Sequence, residues 1–493
     1  NLLAGRRALR AIGVEAAPVL YCPDAFGHPA ALPMLARGFG CTSIIASRGY
    51  GGARWPAGDA AWWVGPDGEP VLFFHLSKSG YETGAQLPPE PDGARERWKV
   101  VRDDLIPRSA LGTVLLMNGA DHHARQARLG ESIAALAETA RPDDVHASSL
   151  RAFGEDIATR ALTATLPEIR GELRDSYGWM WTLQGTFATR AHQKRRNARL
   201  ERLLARDVEP WVALAARTGA GSRKSLVEAA WRSLILCHPH DTICGCSIDE
   251  VAHAMDARLD ETETQARGLQ ADALLDVIGH RREQARVLRD KWRPVVLVRN
   301  AAPRPRQGVA ILRLTSFLAD IKVGIHPDAA AAPPAKRTTP AIAGVPALQV
   351  LSRTVEDELT ESPRHYPDDD LVAVTEVAAW LPAVPPCGVR SFKQVKRSHF
   401  AEIPNPVRVD ANTITNSRIS VHVREDGIVA FTDHENGRSI DDLLRWESRV
   451  DLGDEYTPSP RGVKFAPRFE WARVIHRGPL RAAIELRWSC RNG

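Results

Sequence analysis

Residues 18–28 read Pro18-Val-Leu-Tyr-Cys22-Pro-Asp24-Ala-Phe26-Gly27-His28. Four apolar or aromatic residues end abruptly at a proline, and a carboxylate follows two positions later. A short, continuously apolar run bounded by turn residues predicts a strand buried on both faces. A helical pattern ending at Gly13 precedes it. A second helical stretch around Leu32-Pro-Met-Leu-Ala-Arg37 leads into Thr42-Ser-Ile-Ile-Ala46. Pro70-Val-Leu-Phe-Phe-His75 and Thr113-Val-Leu-Leu-Met117 repeat the theme. Apolar strands alternating with helices predict a parallel sheet, barrel-like in its (β/α) succession, over residues 1–168.

Beyond residue 168 the periodicity changes. Leu200, Leu203, Leu204, Val208, Trp211 and Val212 share one helical stripe, and Val251, Met255, Leu259, Ala266, Leu269 and Ile278 share another. These predict a central three-helix bundle over 169–290 whose stripes are core rather than a cofactor box. From 291 to 493 the pattern is β. Val295-Val-Leu-Val298 opens it, Ala329–Ala335 reads as a loop, and Asp426-Gly427 and Asn436-Gly437 supply hairpin turns. An antiparallel β-sandwich is expected there. The fold class is therefore multidomain: α/β, then α, then β.

Composition sets limits on function. The chain has 493 residues, 44% hydrophobic and 25% charged, an ordinary globular balance. Its charge of +5, from 65 basic and 60 acidic residues, is too slight to indicate nucleic acid. Lys194-Arg195-Arg196 reads as a solvated helix face. No apolar run is long enough to span a membrane. Seven scattered cysteines form no framework and favour reduced thiols in a cytoplasmic protein. The chain starts at Asn1 without a leader pattern and stops after a strand-like run, so it is expected to be a piece of a longer protein, with targeting left open.

In parallel α/β folds, ligands gather at the carboxyl ends of the strands. Past the first strand stand Asp24, Phe26 and His28; past the second, Arg48; past the fourth, Asn118-Gly119-Ala120-Asp121-His122-His123. Any one of these could be a turn residue or helix cap, but two carboxylates and an arginine at equivalent positions point to a site. A second signal is Cys237-His238-Pro239-His240-Asp241-Thr242-Ile243-Cys244-Gly245-Cys246. Its His240-Asp241 pair sits on irregular backbone and suits a metal. Cys244 and Cys246 with His238 form a weaker metal set, because a second cysteine pair is missing. His122 and His123 are a further, less favoured pair.

Together these segments resemble glycoside hydrolase family 38, the zinc-dependent α-mannosidases. The resemblance rests on Asp24-Ala-Phe26-Gly27-His28, Arg48, Asn118–Asp121, and Gly171-Glu172-Leu173-Arg174 through Gly185-Thr186-Phe187-Ala188-Thr189-Arg190 with Lys194 and Glu201. It continues through His240-Asp241-Thr-Ile-Cys-Gly245 and Gly453-Asp454-Glu455-Tyr456-Thr-Pro-Ser-Pro460, in the family's order. It implies a retaining α-mannosidase of terminal α-mannosides, nearest the bacterial mannosylglycerate-hydrolase branch. Asp24 would be nucleophile and zinc ligand, Asp121 general acid/base, and His240 a second zinc ligand. Asp241, Arg48, Phe26 and Tyr456 would bind substrate. Retention requires the two carboxyl groups to lie roughly 5–5.5 Å apart, and Asp121 must hold a proton. The family's remaining zinc ligands come from a His-x-Asp motif that does not precede Asp24 here. The missing stretch would be about 100 residues, a few βα units of about 30 each, and this chain alone is expected to bind zinc weakly and turn over little. Cobalt or manganese could occupy the same donors. Two alternatives stand beside this reading, a catalytically silent carbohydrate-binding homologue and another metal-dependent hydrolase. A homo-oligomer is compatible with the sequence.

Overall fold

The computed structural model describes residues 1–119, 121–175, 179–281, 284, 287, 288, 291, 295–321, 341–362, 365–395, 402, 403, 405–444 and 446–490. Ala120 and the expected loop Ala329–Ala335 fall outside the described residues. The chain forms two compact units. One comprises 1–277 with 452–459, and the other 278–451 with 460–493.

In the first unit, α1 (Leu2–Ala11) leads to β1 (Val19–Cys22), α2 (Leu32–Gly38) to β2 (Ser43–Ala46), and then come β3 (Ala60–Val64) and β4 (Pro70–His75). The helices α3 (Pro91–Leu105), α4 (Leu129–Thr139) and α5 (Leu150–Ala161) follow, then β5 (Glu168–Arg170). The sheet order is β1-β2-β4-β3-β5. Strands β1, β2 and β4 are mutually parallel, as the sequence indicates. However, β3 runs antiparallel to β4 and parallel to β5. The sheet is thus mixed, and β1 and β5 are its two edges, so the described strands do not close a barrel. The signal for β3 lies in Asp67-Gly68, whose turn folds β3 back on β4 with Gly65 N–H donating to Glu69 O at 3.0 Å. Both faces are buried. Ile44, Ala61, Trp63 and Phe73 enter one cluster, and Ile45, Ala60, Leu72 and Phe74 the other, which is why these strands show no polar alternation.

The run Thr113–Met117 is not a strand. Leu115 and Met117 pack into the cluster under the sheet, while Val114 and Leu116 turn toward Trp98 and Leu136 of α3 and α4. The segment is apolar on both sides because it is wedged between two clusters, and among the described residues no strand pairs with it. Burial mimicked a ladder.

Three helical rods follow. α6 (Ala191–Leu203) continues through a π-turn at Leu204–Val208 into α7 (Glu209–Arg217). Pro210 lacks the N–H that a regular turn needs, and the π-turn lies just before it. α8 (Lys224–Ile235) comes next, then the short α9 (His240–Cys244) and the 30-residue α10 (Asp249–Ile278). The predicted stripes meet in one core of Leu200, Leu204, Val208, Trp211, Leu234, Met255 and Leu259 among others. The Lys194–Arg196 run is less solvated than expected. Arg196 pairs with Asp256 and Asp260 of α10, and Lys194 donates to the Cys244 carbonyl.

The second unit is β. Strands β6 (Val295–Arg299), β7 (Arg306–Asp320), β8 (Ala341–Ile342), β9 (Ala347–Ser362), β10 (His365–Val384) and β11 (Val389–Val395) form two three-stranded antiparallel sheets, β7-β10-β9 and β6-β11-β8. Side chains of both, among them Leu312, Ala379, Leu381, Val296 and Phe392, share one apolar cluster. A five-stranded sheet runs through β12 (Arg408–Asp410), β13 (Thr413–Thr415), β14 (Ile419–Val423), β15 (Val429–Asp433) and β16 (Arg438–Leu444). Its β14–β15 and β15–β16 hairpins turn at Asp426-Gly427 and Asn436-Gly437, as predicted. Two further pairs complete the unit, β17 (Ser448–Asp451) with β18 (Pro460–Phe465) and β19 (Arg468–Arg477) with β20 (Ala482–Ser489). Among the described residues no helix is long and apolar enough to cross a membrane.

Beneath the sheet's carboxyl end, Asp59 is buried and accepts from the Ala110 N–H at 2.9 Å. Burial pushes its carboxyl up to about 6, against the opposing pull of that N–H and of Arg108. A raised carboxyl contributes stability that is complete below the unfolded value of about 3.9 and is lost as pH rises through the folded one. Relative to Asp59→Asn, the wild type should therefore gain about 2–3 kcal/mol between pH 7 and pH 4. Paired urea titrations followed by tryptophan fluorescence measure this, and a pH-independent difference would contradict it.

Candidate functional site

Asp24 and Arg48 stand two residues past the carboxyl ends of β1 and β2. Because those strands are parallel and adjacent, with Cys22 opposite Ala46, the two side chains meet. The Arg48 Nε donates to Asp24 Oδ1, and both side chains are nearly buried, at 13% and 14% exposure. The Arg48 guanidinium also donates to the Trp181 carbonyl at 2.8 Å. Such a pair is costly to desolvate and persists only where its remaining atoms are satisfied.

The loops are tied by one passing segment. Leu173 exchanges both backbone hydrogen bonds with His28, at 2.9 and 3.0 Å, and Asp175 N–H donates to Gly49 O at 3.1 Å. Gly49 has φ +87°, and a Cβ there would lie 2.3 Å from the Leu173 carbonyl oxygen. Only glycine lets the strap pass beside Arg48.

The other Asp24 oxygen, Oδ2, faces two partners. His240 Nε2 lies 3.3 Å away and the Tyr81 hydroxyl donates to it at 3.2 Å. The same hydroxyl lies 2.8 Å from Asp121 Oδ2. The sum of the two hydroxyl distances caps the Asp24–Asp121 oxygen separation at 6.0 Å. Burial, then the Asp121 hydrogen bond and the Asp24 charge, raise the Tyr81 phenol well above its ordinary range, so it stays protonated. Asp121 is oriented from its backbone, whose N–H donates to Glu82 Oε1 at 2.9 Å. Tyr81 and Glu82 were missed from sequence. The signal was available, since both lie just past β4 and the rule that found Asp24 and Arg48 applies equally there.

His240 and Asp241 open α9. Arg190 and Lys194 close its other end, donating to Gly245 O at 3.3 Å and Cys244 O at 2.9 Å, and so satisfy carbonyls that a helix terminus leaves open. Phe26, 7% exposed, packs its ring edge-on to His240 at 5.6 Å and beneath Arg48 at 5.5 Å. Its ring is spent on these two neighbours, which explains its place in the motif without an open sugar-facing wall. Asp241 is more exposed, and its Oδ1 is 3.5 Å from the Cys246 thiol. Tyr456 arrives from the 452–459 loop and donates to the Cys246 carbonyl at 3.4 Å. Gly185 admits that loop, because a Cβ would come within 2.5 Å of the Glu455 carbonyl oxygen. Tyr456 thus stands beside Asp241's neighbour rather than beside Asp24.

Which residues could hold a cation? The ligand atoms of a tetrahedral zinc with bonds of about 2.0–2.1 Å lie about 3.3 Å apart. The Asp24 Oδ2–His240 Nε2 separation of 3.3 Å fits such an edge. Closing the tetrahedron takes further donors, and among the described residues no group of three or more His, Cys, Asp or Glu surrounds one point. The weaker sets do not assemble. His238 is held by Asn197 at 2.9 Å and Asn1 at 3.0 Å, His123 bonds the Asp121 carbonyl at 2.7 Å, and all seven cysteines are free.

Comparison with known proteins places this geometry. Residues 1–211 match the Glycosyl hydrolases family 38 N-terminal domain, and residues 181–277 the Alpha mannosidase middle domain. A "Putative mannosylglycerate hydrolase" of Halalkalibacterium halodurans is 30% identical over 280 residues, 54% of this chain and 30% of that protein. An α-mannosidase from Enterococcus faecalis V583 superposes with a TM-score of 0.79 at 22% identity, over 99% of this chain and 56% of that one. A second Enterococcus faecalis protein of the Glycosyl Hydrolase Family 38 gives 0.71 at 19% identity, over 99% and 54%. The chain spans just over half of these solved structures.

Burial, reinforced by the Asp241 contact, pushes the Cys246 thiol up to about 12. Iodoacetamide at pH 8 should therefore label exposed Cys387 and Cys490 before Cys246. Asp241→Asn should speed Cys246 labelling several-fold by mass spectrometry; an unchanged rate would mean that Asp241 does not hold the thiol.

Proposed function

Since this chain belongs to glycosyl hydrolase family 38 through residues 1–277, we propose that it carries the reaction centre of a retaining α-mannosidase, with Asp24 as nucleophile and Asp121 as general acid/base. The observation that carries this reading is the Tyr81 hydroxyl shared by the two carboxyl groups. Their facing Oδ2 atoms lie at most 6.0 Å apart, which is compatible with a retaining pair whose carboxyl groups are roughly 5–5.5 Å apart.

The shared hydroxyl also sorts the roles. A phenol has one proton to give. If both carboxylates were ionised, one contact would set oxygen against oxygen without a hydrogen between them. Both are satisfied when one of the two carboxyl groups carries a proton toward the Tyr81 oxygen while Tyr81 donates to the other. Arg48 pairs with the other Asp24 oxygen, so the shared proton is assigned to Asp121 and the nucleophilic carboxylate to Asp24.

From that state Asp24 attacks the anomeric carbon and Asp121 passes its proton to the glycosidic oxygen as that bond breaks. Asp121, now ionised, takes a proton from water, the water oxygen displaces Asp24 from the anomeric carbon, and the starting protonation returns. Tyr81 keeps its own proton throughout and reorients between the two carboxyl groups. Asp241, exposed beside His240, would accept from sugar hydroxyls. Zinc would be held by Asp24 and His240 with further donors, and when bound would supply a Lewis-acid grip on adjacent sugar hydroxyls. Mannosylglycerate is the first natural substrate to try, because it is named in the relative's description. An amide or ester hydrolase is disfavoured, since a single hydroxyl spanning two carboxyl groups has no use in activating a metal-bound water.

The test is made on the intact gene product. It should release aryl aglycone from an aryl α-mannoside, and chelator should abolish the release. Asp24→Ala should cost at least about a thousandfold in kcat, and a 2-fluoro mannosyl trap should add its mass to the Asp24 peptide. Tyr81→Phe should lower kcat about 10–100-fold with KM little changed. Label on another residue, or a fully active Asp24→Ala, would end this reading.

A further inference from the structure

His75 closes β4 and is 1% exposed, yet the site described above does not touch it. Its Nε2 lies 2.7 Å from the Ser47 carbonyl oxygen, and its Nδ1 lies 2.8 Å from an Arg108 guanidinium nitrogen. Arginine has no acceptor and is always charged, so Arg108 donates and Nδ1 accepts. A neutral imidazole carries one proton, which the geometry assigns to Nε2, and that N–H donates to Ser47 O. Arg108 is itself held by further contacts. It donates to Leu76 O at 3.1 Å and Ala57 O at 3.2 Å and lies 4.1 Å over the Trp179 ring.

Ser47 precedes Arg48, whose side chain holds Asp24. The next residue, Gly49, is pinned by Asp175. The residues on either side of Arg48 are thus both held at their carbonyls, Ser47 by a histidine and Gly49 by the passing strap. We propose that His75 is a positioning residue: fixed as its Nε2–H tautomer by Arg108, it anchors the Ser47 carbonyl and so sets the reach of Arg48 onto Asp24.

An aliphatic residue would fill the same volume but would leave the Ser47 carbonyl and an Arg108 N–H buried without partners. The other groups around the ring are Tyr50 at 5.0 Å, Trp179 at 5.4 Å, Phe73 at 6.4 Å, and His28. Burial first and Arg108 next push His75 down to about 3, so the neutral form that this role needs persists at physiological pH.

The catalytic consequence rests on the reaction proposed above, so the test has one arm without activity. In the full chain, selectively labelled arginine should show an Arg48 Nε–H resonance shifted by the Asp24 carboxylate and assigned with Arg48→Lys. That resonance should survive in His75→Gln, whose amide N–H replaces Nε2–H, and should be lost in His75→Leu. A long-range histidine spectrum of the wild type, which needs no variant, should show His75 protonated on Nε2. On an aryl α-mannoside, His75→Leu should lose about 100-fold in kcat with KM within about threefold. His75→Gln should stay within about fivefold of wild type. Retention of the Arg48 resonance in His75→Leu overturns the proposal, as does a proton on Nδ1. So does a parallel fall of both variants that tracks their melting temperatures. A wild type without mannosidase activity would sink the proposed function alone and leave the arginine spectrum to decide this one.

Discussion

The nearly buried Asp24–Arg48 pair is the constraint on which the first unit's active face is built. Two opposite charges at 14% and 13% exposure have lost most of their water. In such a pair the Coulombic gain does not reliably cover the desolvation cost unless every remaining donor and acceptor is matched. Here both Asp24 oxygens and two of the five Arg48 N–H groups have protein partners. Asp24 uses one oxygen for Arg48 and the other for Tyr81 and His240, while Arg48 turns a second N–H to the Trp181 carbonyl. The Leu173 strap, the glycine that lets it pass, and the peptide carbonyls flanking Arg48 all hold two loops at one separation.

That separation follows from strand pairing. β1, β2 and β4 are parallel and in register, so the residues just past their ends, carrying Asp24, Arg48 and Tyr81, emerge on the same side at neighbouring positions. The reversal at β3 does not disturb this, because β3 lies on the far side of β4 from the other two. It places Asp59 and Arg108 beneath the loops instead, in a buried polar layer between the sheet and the site. Such layers stabilise only when complete, because an unpaired polar atom in low dielectric costs more than a neutral packing contact. His75 links this layer, through Arg108, to the Ser47 carbonyl at the base of Arg48.

The helical stretch contributes through one five-residue helix. α9 is too short to be stable alone, and it is fixed at its end by Arg190 and Lys194 and at its flank by Tyr456. His240 and Asp241 therefore owe their position to residues about fifty places before them and over two hundred after. Phe26 then meets His240 from the strand side, so that its burial, rather than an exposed face, accounts for an aromatic at that place.

Several things were settled by the sequence alone. Apolar runs of strand length located β1, β2 and β4, and helical stripes located the α6–α10 core, because burial imposes a period that side-chain chemistry reveals directly. Asp-Gly and Asn-Gly placed two hairpins, since few other residues accept those backbone angles. The ends of β1 and β2 offered Asp24 and Arg48 as candidates, the apolar run Thr113–Met117, which is not a strand, offered Asp121, and a broken helix offered His240-Asp241. The tertiary structure decided what depends on partners. Thr113–Met117 has a strand's composition and no ladder, because hydrogen-bond pairing is a property of two segments and a run of residues is only one. β3 reverses direction for the same reason, despite a composition like that of its parallel neighbours. Tyr81 lies past β4 where the strand-end rule applies, but its bridging role depends on two remote carboxyl groups within reach of one hydroxyl, and that of His75 on the neighbours of its two ring nitrogens. An isolated tyrosine or histidine carries no mark of what it will touch; that is fixed by contacts between residues distant in the chain.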